Sequence, residues 1–208
     1  MSQPRRTVLA TTPDMAAIAV FWFGLNRVPA RHAQAIVALR QPGDDASVHA
    51  AAYAWGENPD AEFLLVSGNG GYPYTPSDII DELGLFKTDD IFTNPTGDNV
   101  LDQTAWIVSH VIAHNITSLT MHGPSYVLPQ MLLAILEEFE RRNTRPICMY
   151  AAPTTPDLRT NSSIVLWEQW AQQIAMMHER FGSQGGNTVR HYLGWLMSQD
   201  HYLDNQEL

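Results

Sequence analysis

The strongest chemical signal in the sequence is a glycine-rich loop, Ser67-Gly68-Asn69-Gly70-Gly71, which directly follows an apolar run. Glycine permits positive φ angles and lets the backbone approach a ligand closely, so successive amides in such a loop can form a nest for an anion. The loop is neither a Walker loop nor a dinucleotide fingerprint, because no Gly-Lys-Ser/Thr follows and Gly-x-Gly-x-x-Gly is absent. Spacing alone leaves two interpretations open, a ligand-binding loop and a plain turn after a strand.

Short polar segments also follow three other apolar runs of the chain. They are rich in glycine, asparagine, serine and threonine, and they lie far apart in the sequence. In an open parallel sheet, ligands bind outside the carboxyl ends of the strands, so we expect these segments to meet at one rim. The residues predicted from this pattern to bind a ligand are Asn26, Ser67, Gly68, Asn69, Gly70, Gly71, Asp98, Asn99, His122, Gly123 and Ser125.

Some of these positions have a structural interpretation beside the chemical one. Asp98 or Asn99 is well placed as the N-cap of a helix that begins at Val100, and a ligand at the same helix terminus would also gain from the dipole. His122 follows a buried run, where a catalytic histidine is often found, but a core or rim histidine is the more frequent case. A capping role and a ligand-binding role can coexist at the start of the helix. For His122, the catalytic and the structural interpretation both stay open.

Metal and cysteine chemistry are less well supported. His110 and His114 are four residues apart, a spacing that can hold a metal on one helix face, but no acidic or third histidine partner is evident nearby. Histidines near a helix C-terminus are also common for dipole reasons. The single cysteine, Cys148, lies in a predicted buried strand and is interpreted as a small hydrophobe. We therefore predict neither a metal site nor a cysteine nucleophile.

The candidates must be positioned by strands and helices that alternate along the chain, which is typical of a parallel sheet with right-handed crossovers. The predicted strands are Ile18–Phe23, Glu62–Val66, Asp90–Thr93, Ile116–Met121 and Pro146–Tyr150. The predicted helices are Ala30–Arg40, Ser47–Trp55, Val100–His114, Tyr126–Arg142, Ser163–Phe181 and Thr188–Ser198. The charged run Glu137–Arg142, at the end of the predicted helix Tyr126–Arg142, is expected to be exposed to solvent.

The fold predicted from this order is a three-layer, Rossmann-like α/β sandwich with a mainly parallel five-stranded sheet and a C-terminal helical elaboration. The chain of 208 residues is expected to form a single domain. Its core is expected over about 16–155, and its C-terminal helices over about 160–200.

The net charge of the chain and the composition of its N-terminal segment limit the partners and the location that we expect. Acidic residues outnumber basic residues 22 to 12, and the net charge of −10 argues against a nucleic-acid or anionic-membrane surface. Arg5-Arg6 before the apolar stretch Ala16–Leu25 looks briefly like a twin-arginine export signal. However, Thr11–Asp14 places turn-forming residues before that stretch, no cleavage site follows it, and it is too short to span a bilayer. We expect a cytoplasmic protein with no membrane or nucleic-acid partner.

The order of the segments resembles the YdcF, SanA and ElyC family. Phe63–Gly71 resembles that family's strand and loop with the sequence Val-Ser-Gly-Gly, and Ser77-Asp78 looks like the start of its next helix. The family's Asn-Thr-x-Glu-Asn motif maps onto residues 99–103, which adds Asp102 to the candidate binding residues. The histidine and arginine of its motif after the fourth strand fall on Tyr126 and Pro129, so a proton donor and a phosphate-pairing guanidinium are replaced.

The resemblance covers about residues 16–180 and implies a Rossmann-like fold that binds S-adenosylmethionine or a nucleotide-like compound as ligand or cofactor. One hypothesis is therefore a small-molecule-binding protein, with or without enzymatic activity. The other is a non-catalytic interaction protein or homo-oligomer that has lost the family's polar motif. Of the six tryptophans, those in the predicted C-terminal helices would form its surface if they are exposed: Trp167, Trp170 and Trp195.

Overall fold

A computed structural model of the chain describes residues 33–41, 45–68, 75, 77, 90–94, 97, 99–125 and 127–154. The predicted strand Ile18–Phe23 lies outside these residues. So do the two predicted C-terminal helices, Ser163–Phe181 and Thr188–Ser198.

The described residues are built on a parallel sheet of five strands. β1 spans Ala35–Leu39, β2 Phe63–Ser67, β3 Ile91–Asn94, β4 Ser118–Pro124 and β5 Cys148–Thr154. The strand order across the sheet is β3-β2-β1-β4-β5, and every neighbouring pair is parallel. This arrangement confirms the predicted α/β fold with a Rossmann-like parallel sheet.

The central strand replaces a predicted helix. The pattern of Ala30–Arg40 predicted a helix, whereas Ala35–Leu39 forms β1 between β2 and β4. All five residues of β1 are buried, because a strand at the centre of a parallel sheet is covered on both faces. Periodicity cannot distinguish so short an apolar run from a turn of buried helix, so the helix prediction was wrong. The four later strands overlap their predicted spans.

Three described helices cover the sheet: α1 (Ala46–Glu57), α2 (Val100–Ala113) and α3 (Leu128–Arg141). α1 packs on β1, β2 and β4, whereas α2 packs on β2 and against α3. Pro129 lies in the first turn of α3, where its missing N–H costs no helical hydrogen bond. None of these helices combines the length and apolar content that crossing a lipid bilayer would require.

α1 lies on one face of the sheet, and α2 and α3 lie on the other. Ser47 of α1 hydrogen-bonds to Thr154 of β5 at 3.0 Å. Gly123 of β4 instead faces Leu128 of α3. Gly123 is in register with Pro153, the residue before Thr154. Since successive residues of a strand point to opposite faces, the two contacts lie on opposite faces and the described core has three layers.

Apolar side chains fill the space between these layers. Burying one large apolar side chain contributes roughly 1.5–3 kcal/mol to the stability of the fold, so this core supplies the main stabilisation. The largest fully buried side chains are Trp55, Phe139, Ile36, Leu39, Leu64, Leu65, Ile107 and Leu119.

At the amino edge of the sheet, where the strands begin, Gln34 connects three strands. Its backbone N–H donates to the Ser118 hydroxyl at 3.1 Å, and its backbone carbonyl accepts from the Glu62 N–H at 2.8 Å. Its side-chain carbonyl accepts from the Thr117 N–H at 3.0 Å, and its side-chain amide donates to the Glu62 carboxylate at 3.2 Å. Both ends of this amide are therefore hydrogen-bonded.

Ion pairs at the end of α3, together with hydrogen bonds from Arg142, join α3 to α2. Glu138 is only 9% exposed; its carboxylate accepts from Arg141 at 2.6 and 2.7 Å and from Arg142 at 2.6 Å. Arg142 also donates to Ser109 and to the Ala105 carbonyl, both at 2.9 Å. The hydrogen bonds from Arg141 and then Arg142 lower the pKa of Glu138. The charged end of α3 is thus partly buried, in contrast to the solvated end that was predicted.

Candidate functional site

The strand ends that carry the predicted binding residues meet at one edge of the sheet, its carboxyl edge. Ser67 at the end of β2 is in register with Leu39 at the end of β1 and with Asn94 at the end of β3. His122, near the end of β4, is in register with Ala38. Because all the strands are parallel, the loops that follow them leave the sheet on the same side.

The described residues among the predicted set lie in or after these strand ends, or in the first turn of α2. They are Ser67, Gly68, Asn99, Asp102, His122, Gly123 and Ser125. The remaining five lie outside the described residues: Asn26, Asn69, Gly70, Gly71 and Asp98.

The same edge contains the point where the chain changes direction across the sheet. From β1 the chain proceeds to β2 and then β3 on one side, and it returns to β4 on the other side of β1. The loops after β1 and β4 therefore lead to opposite faces of the sheet. In open α/β sheets such a switch point leaves a crevice in which ligands bind. In this chain the switch point lies between β1 and β4, which end at Leu39 and Pro124.

The ends of β2 and β3 and the start of α2 pack closely around glycines. We call this region the α2 corner; it consists of Ser67, Gly68, Asn94, Gly97 and Gln103. Gly68 has a φ of 98°, and a Cβ there would overlap with the Arg40 carbonyl oxygen and lie 3.1 Å from the Gln103 side-chain nitrogen. The ends of β1 and β2 approach so closely that position 68 requires glycine, whether or not a ligand is bound.

Two buried polar atoms of the α2 corner have no hydrogen-bond partner among the described residues. They are the Ser67 Oγ and the Gln103 Oε1, and the two residues are 0% and 4% exposed. The other end of the Gln103 amide is used, since its nitrogen donates to the Gly97 carbonyl at 3.0 Å. Native structures rarely leave such atoms unsatisfied unless water or a ligand meets them.

Asn99 and Asp102 use their side chains to start α2. The Asn99 side-chain oxygen accepts from the Asp102 N–H at 3.0 Å, and its nitrogen donates to the Asp102 carboxylate at 2.6 Å. This arrangement confirms the predicted N-cap, at Asn99. The side chains of Asn99 and Asp102 are both hydrogen-bonded within the cap, so the role observed for these two residues is structural.

His122 is a buried titratable group near the carboxyl end of β4, in register with Ala38 of β1. It is 9% exposed, and its Nε2 has no hydrogen-bond partner among the described residues. Burial lowers the pKa of His122 from 6.5 to about 4, because a charged imidazolium loses its hydration there. The ring is therefore neutral near pH 7, when its nitrogens can donate one hydrogen bond and accept another.

Gly123 has a packing role. A Cβ at this position would lie 3.1 Å from the Cβ of Leu39 and 3.5 Å from a methyl carbon of Leu128. The glycine therefore lets α3 pack closely on the sheet. Ser125 follows in the turn before α3 and is half-buried.

Arg40 and Gln103 also lie at this edge but were not among the predicted binding residues, although Gln103 is the last residue of the segment onto which the Asn-Thr-x-Glu-Asn motif maps. Arg40 directly follows β1, is 4% exposed and pairs with Asp45 at 2.8 Å, at the start of α1. Its signal, a cation directly after a short apolar run, was hidden by the predicted helix. Gln103 lies four residues after the cap Asn99, and its signal is a polar residue on the inward side of an amphipathic helix.

The two histidines considered for a metal site lie in an aromatic cluster instead. The His110 and His114 ring centroids are 5.9 Å apart, and each is 5.0 Å from the ring of Phe92. Trp106 lies 4.3 Å from His110. Among the described residues, no three side chains of the metal-binding types lie together. Cys148 is buried, and burial raises the pKa of its thiol, which agrees with its interpretation as a small hydrophobe.

No family model, no curated protein and no solved structure matches this chain. The function is therefore inferred from the carboxyl edge itself, and the YdcF-like resemblance stays a prediction.

Proposed function

We propose that the protein binds a small nucleoside-containing molecule, a nucleotide or an S-adenosylmethionine-like compound, at the carboxyl edge of its sheet. The observation that carries the proposal is a set of buried atoms with no hydrogen-bond partner among the described residues: Ser67 Oγ and Gln103 Oε1 on the face of the sheet that α2 covers, and His122 Nε2 on the face that α1 covers. Each such atom costs roughly 1–3 kcal/mol when it stays unsatisfied. A ligand with several polar groups that reaches over the strand ends to both faces of the sheet would offset that cost.

The position and the charge of the site favour this ligand class. The switch point of a doubly wound sheet is where nucleotides bind in this kind of fold. The buried Arg40 is paired with Asp45, and the whole chain has a net charge of −10. A polyphosphate would meet repulsion, whereas S-adenosylmethionine carries a positive sulfonium. The YdcF-like resemblance of Phe63–Gly71 favours the same compound.

The state of His122 favours binding over proton transfer. With a pKa of about 4, the imidazole carries no proton to donate as an imidazolium near pH 7. A neutral, buried ring near the carboxyl end of β4 is suited to a directed hydrogen bond with a base or a sugar. We therefore propose a binding function and assign no reaction.

Thermal denaturation with a ligand panel tests the proposal. The panel contains adenosine, ATP, S-adenosylmethionine, a sugar phosphate and divalent cations, each in large excess. A ligand at 100 times its dissociation constant contributes about 2.7 kcal/mol of stability, which raises the melting temperature by roughly 5–11 °C at this chain length. We expect such a shift with at least one nucleoside-containing compound.

Substitutions at the two edges of the sheet locate the binding. His122→Leu removes a buried nitrogen that has no partner among the described residues, so it should leave the ligand-free protein folded and abolish the ligand-dependent shift. Gln34→Ala, at the amino edge, should lower the melting temperature with and without ligand and preserve the shift. No shift with any nucleoside, or a full shift in His122→Leu, would contradict the proposal.

The interaction-protein hypothesis is an outcome of the same experiment. Tyr53 and Leu101 are 72% and 59% exposed, but they lie on α1 and α2, which cover opposite faces of the sheet. They do not combine into one docking surface. A protein that responds to no small molecule but sediments as an oligomer would favour the interaction hypothesis.

A further inference from the structure

We infer that the α2 corner binds a sugar hydroxyl of the ligand, and that Gln103 and Ser67 select for that hydroxyl. The inference rests on the proposed function and names the chemical group that one part of the site recognises. It follows from the orientation of one buried amide and from the face of the sheet on which Ser67 lies.

The Ser67 side chain lies on the same face as α2. Ser67 is in register with Leu39, and a Cβ on Gly123 would touch both Leu39 and Leu128 of α3. Neighbouring residues in register share a face of the sheet, so Ser67 points to the side that α2 and α3 cover. A Cβ on Gly68 would lie 3.1 Å from the Gln103 amide nitrogen, which places that amide beside the end of β2.

The orientation of the Gln103 amide is set by its partner. The Gly97 carbonyl can only accept a hydrogen bond, so the side-chain nitrogen must face it, as it does at 3.0 Å. The Gln103 Oε1 is therefore the end without a partner among the described residues. This oxygen is an acceptor only, and a ligand that satisfies it must bring a hydrogen-bond donor.

The two atoms together favour a hydroxyl over other ligand groups. An ionised phosphate or carboxylate carries hydrogen-bond acceptors only, so it could not donate a hydrogen bond to the Gln103 Oε1. A cation is disfavoured by the positive end of the α2 dipole. A hydroxyl can donate to the Gln103 Oε1 and accept from the Ser67 Oγ–H, which satisfies both atoms. In a nucleoside, the groups that can do both through a single oxygen are the ribose hydroxyls, whereas the base would need two neighbouring atoms.

Equilibrium titration with adenosine, 2′-deoxyadenosine and 3′-deoxyadenosine tests the inference on the full chain. Removal of the hydroxyl loses two hydrogen bonds between neutral groups, and the loss of each weakens binding by about tenfold at most. We expect at least one deoxy form to bind roughly tenfold more weakly than adenosine in the wild type. Ser67→Ala should reduce that ratio towards one, because the weaker compound loses nothing further.

Thr120→Val is the matched control. The Thr120 hydroxyl is also fully buried without a partner among the described residues, but Thr120 pairs with Ile36, the second residue of β1, away from the carboxyl edge. Its removal should leave the preference for adenosine unchanged. Gln103→Leu, a second test of the corner, also loses the bond to Gly97, so its melting temperature is measured before its binding.

Three outcomes separate the inference from the proposed function. A preference for adenosine that Ser67→Ala removes and Thr120→Val keeps supports the inference. If the three nucleosides bind equally, or if Ser67→Ala keeps the full preference, the inference is wrong while binding at the carboxyl edge stands. If no nucleoside binds, the inference and the proposed function both fail.

Discussion

The two edges of the parallel sheet differ in how their polar side chains are hydrogen-bonded. At the amino edge, Asn58 donates to and accepts from backbone groups at 3.3 and 3.0 Å, and the Gln34 amide is hydrogen-bonded at both ends. At the carboxyl edge, Ser67, Gln103 and His122 each bury an atom with no partner among the described residues. The two side-chain amides at the amino edge are thus hydrogen-bonded within the protein, whereas each of these three side chains at the carboxyl edge keeps one atom without such a bond among the described residues.

This difference indicates which edge serves stability and which serves binding. Unsatisfied buried groups lower stability, so they persist where another requirement outweighs the cost. The amino edge carries polar side chains that bridge strand starts, and the carboxyl edge carries glycines that let backbones approach closely. Substitutions can test the contrast, because the same chemical change should have different consequences at the two edges.

The largest effect is expected at Gly68. Gly68→Ala adds a Cβ that overlaps with the Arg40 carbonyl at a φ of 98°, and it should lower the free energy of unfolding by about 2–4 kcal/mol. Gly56→Ala, in exposed helical backbone of α1, should raise the free energy by up to about 1 kcal/mol. Urea denaturation measures both. Equal stability of Gly68→Ala and the wild type would show that the α2 corner is not closely packed.

The next effect is a loss of stability in mild acid. His122 has a pKa of about 4 in the folded protein, against 6.5 without burial. Between these values the unfolded chain binds a proton that the folded chain does not, so stability falls as the pH falls from 6.5 to 4. The whole window corresponds to about 3 kcal/mol, which urea denaturation at a series of pH values would measure.

His122→Leu is the control for this pH dependence. The variant should lose the slope between pH 4.5 and 6.5. It should keep the loss at lower pH, where Glu138, whose folded-state pKa is lowered, becomes protonated and releases Arg141 and Arg142. Identical slopes in the wild type and His122→Leu over the upper window would mean that His122 is hydrated or hydrogen-bonded in solution.

The smallest effect comes from one substitution made at both edges. Ser118→Ala removes the acceptor of the Gln34 N–H and should lower the free energy of unfolding by about 1 kcal/mol. Ser67→Ala removes a buried hydroxyl without a partner among the described residues and should leave stability unchanged or raise it by up to about 1 kcal/mol. Without ligand, a loss in Ser67→Ala as large as that in Ser118→Ala would remove the contrast between the edges.

Local patterns in the sequence predicted much of this structure. The alternation of apolar runs with amphipathic segments predicted a Rossmann-like parallel sheet, and four described strands overlap their predicted spans. The N-cap at Asn99 was also predictable, because a cap depends on a side chain and the backbone N–H groups that follow it within one turn. Burial of Cys148 followed from the apolar run around it. Contacts between residues close together in the chain can therefore be predicted from the local sequence.

Tertiary structure alone decided the central strand and the composition of the site. The run Ala35–Leu39 suits a helix or a strand equally, and only pairing with β2 and β4 makes it β1. Gln103 belongs to the site because α2 packs where β2 and β3 end, which brings its amide beside Gly68. Whether a buried hydroxyl or imidazole finds a partner depends on contacts between residues distant in the chain. The sequence therefore determined which segments lie at the carboxyl edge, and the packing determined which of their atoms stay unpaired.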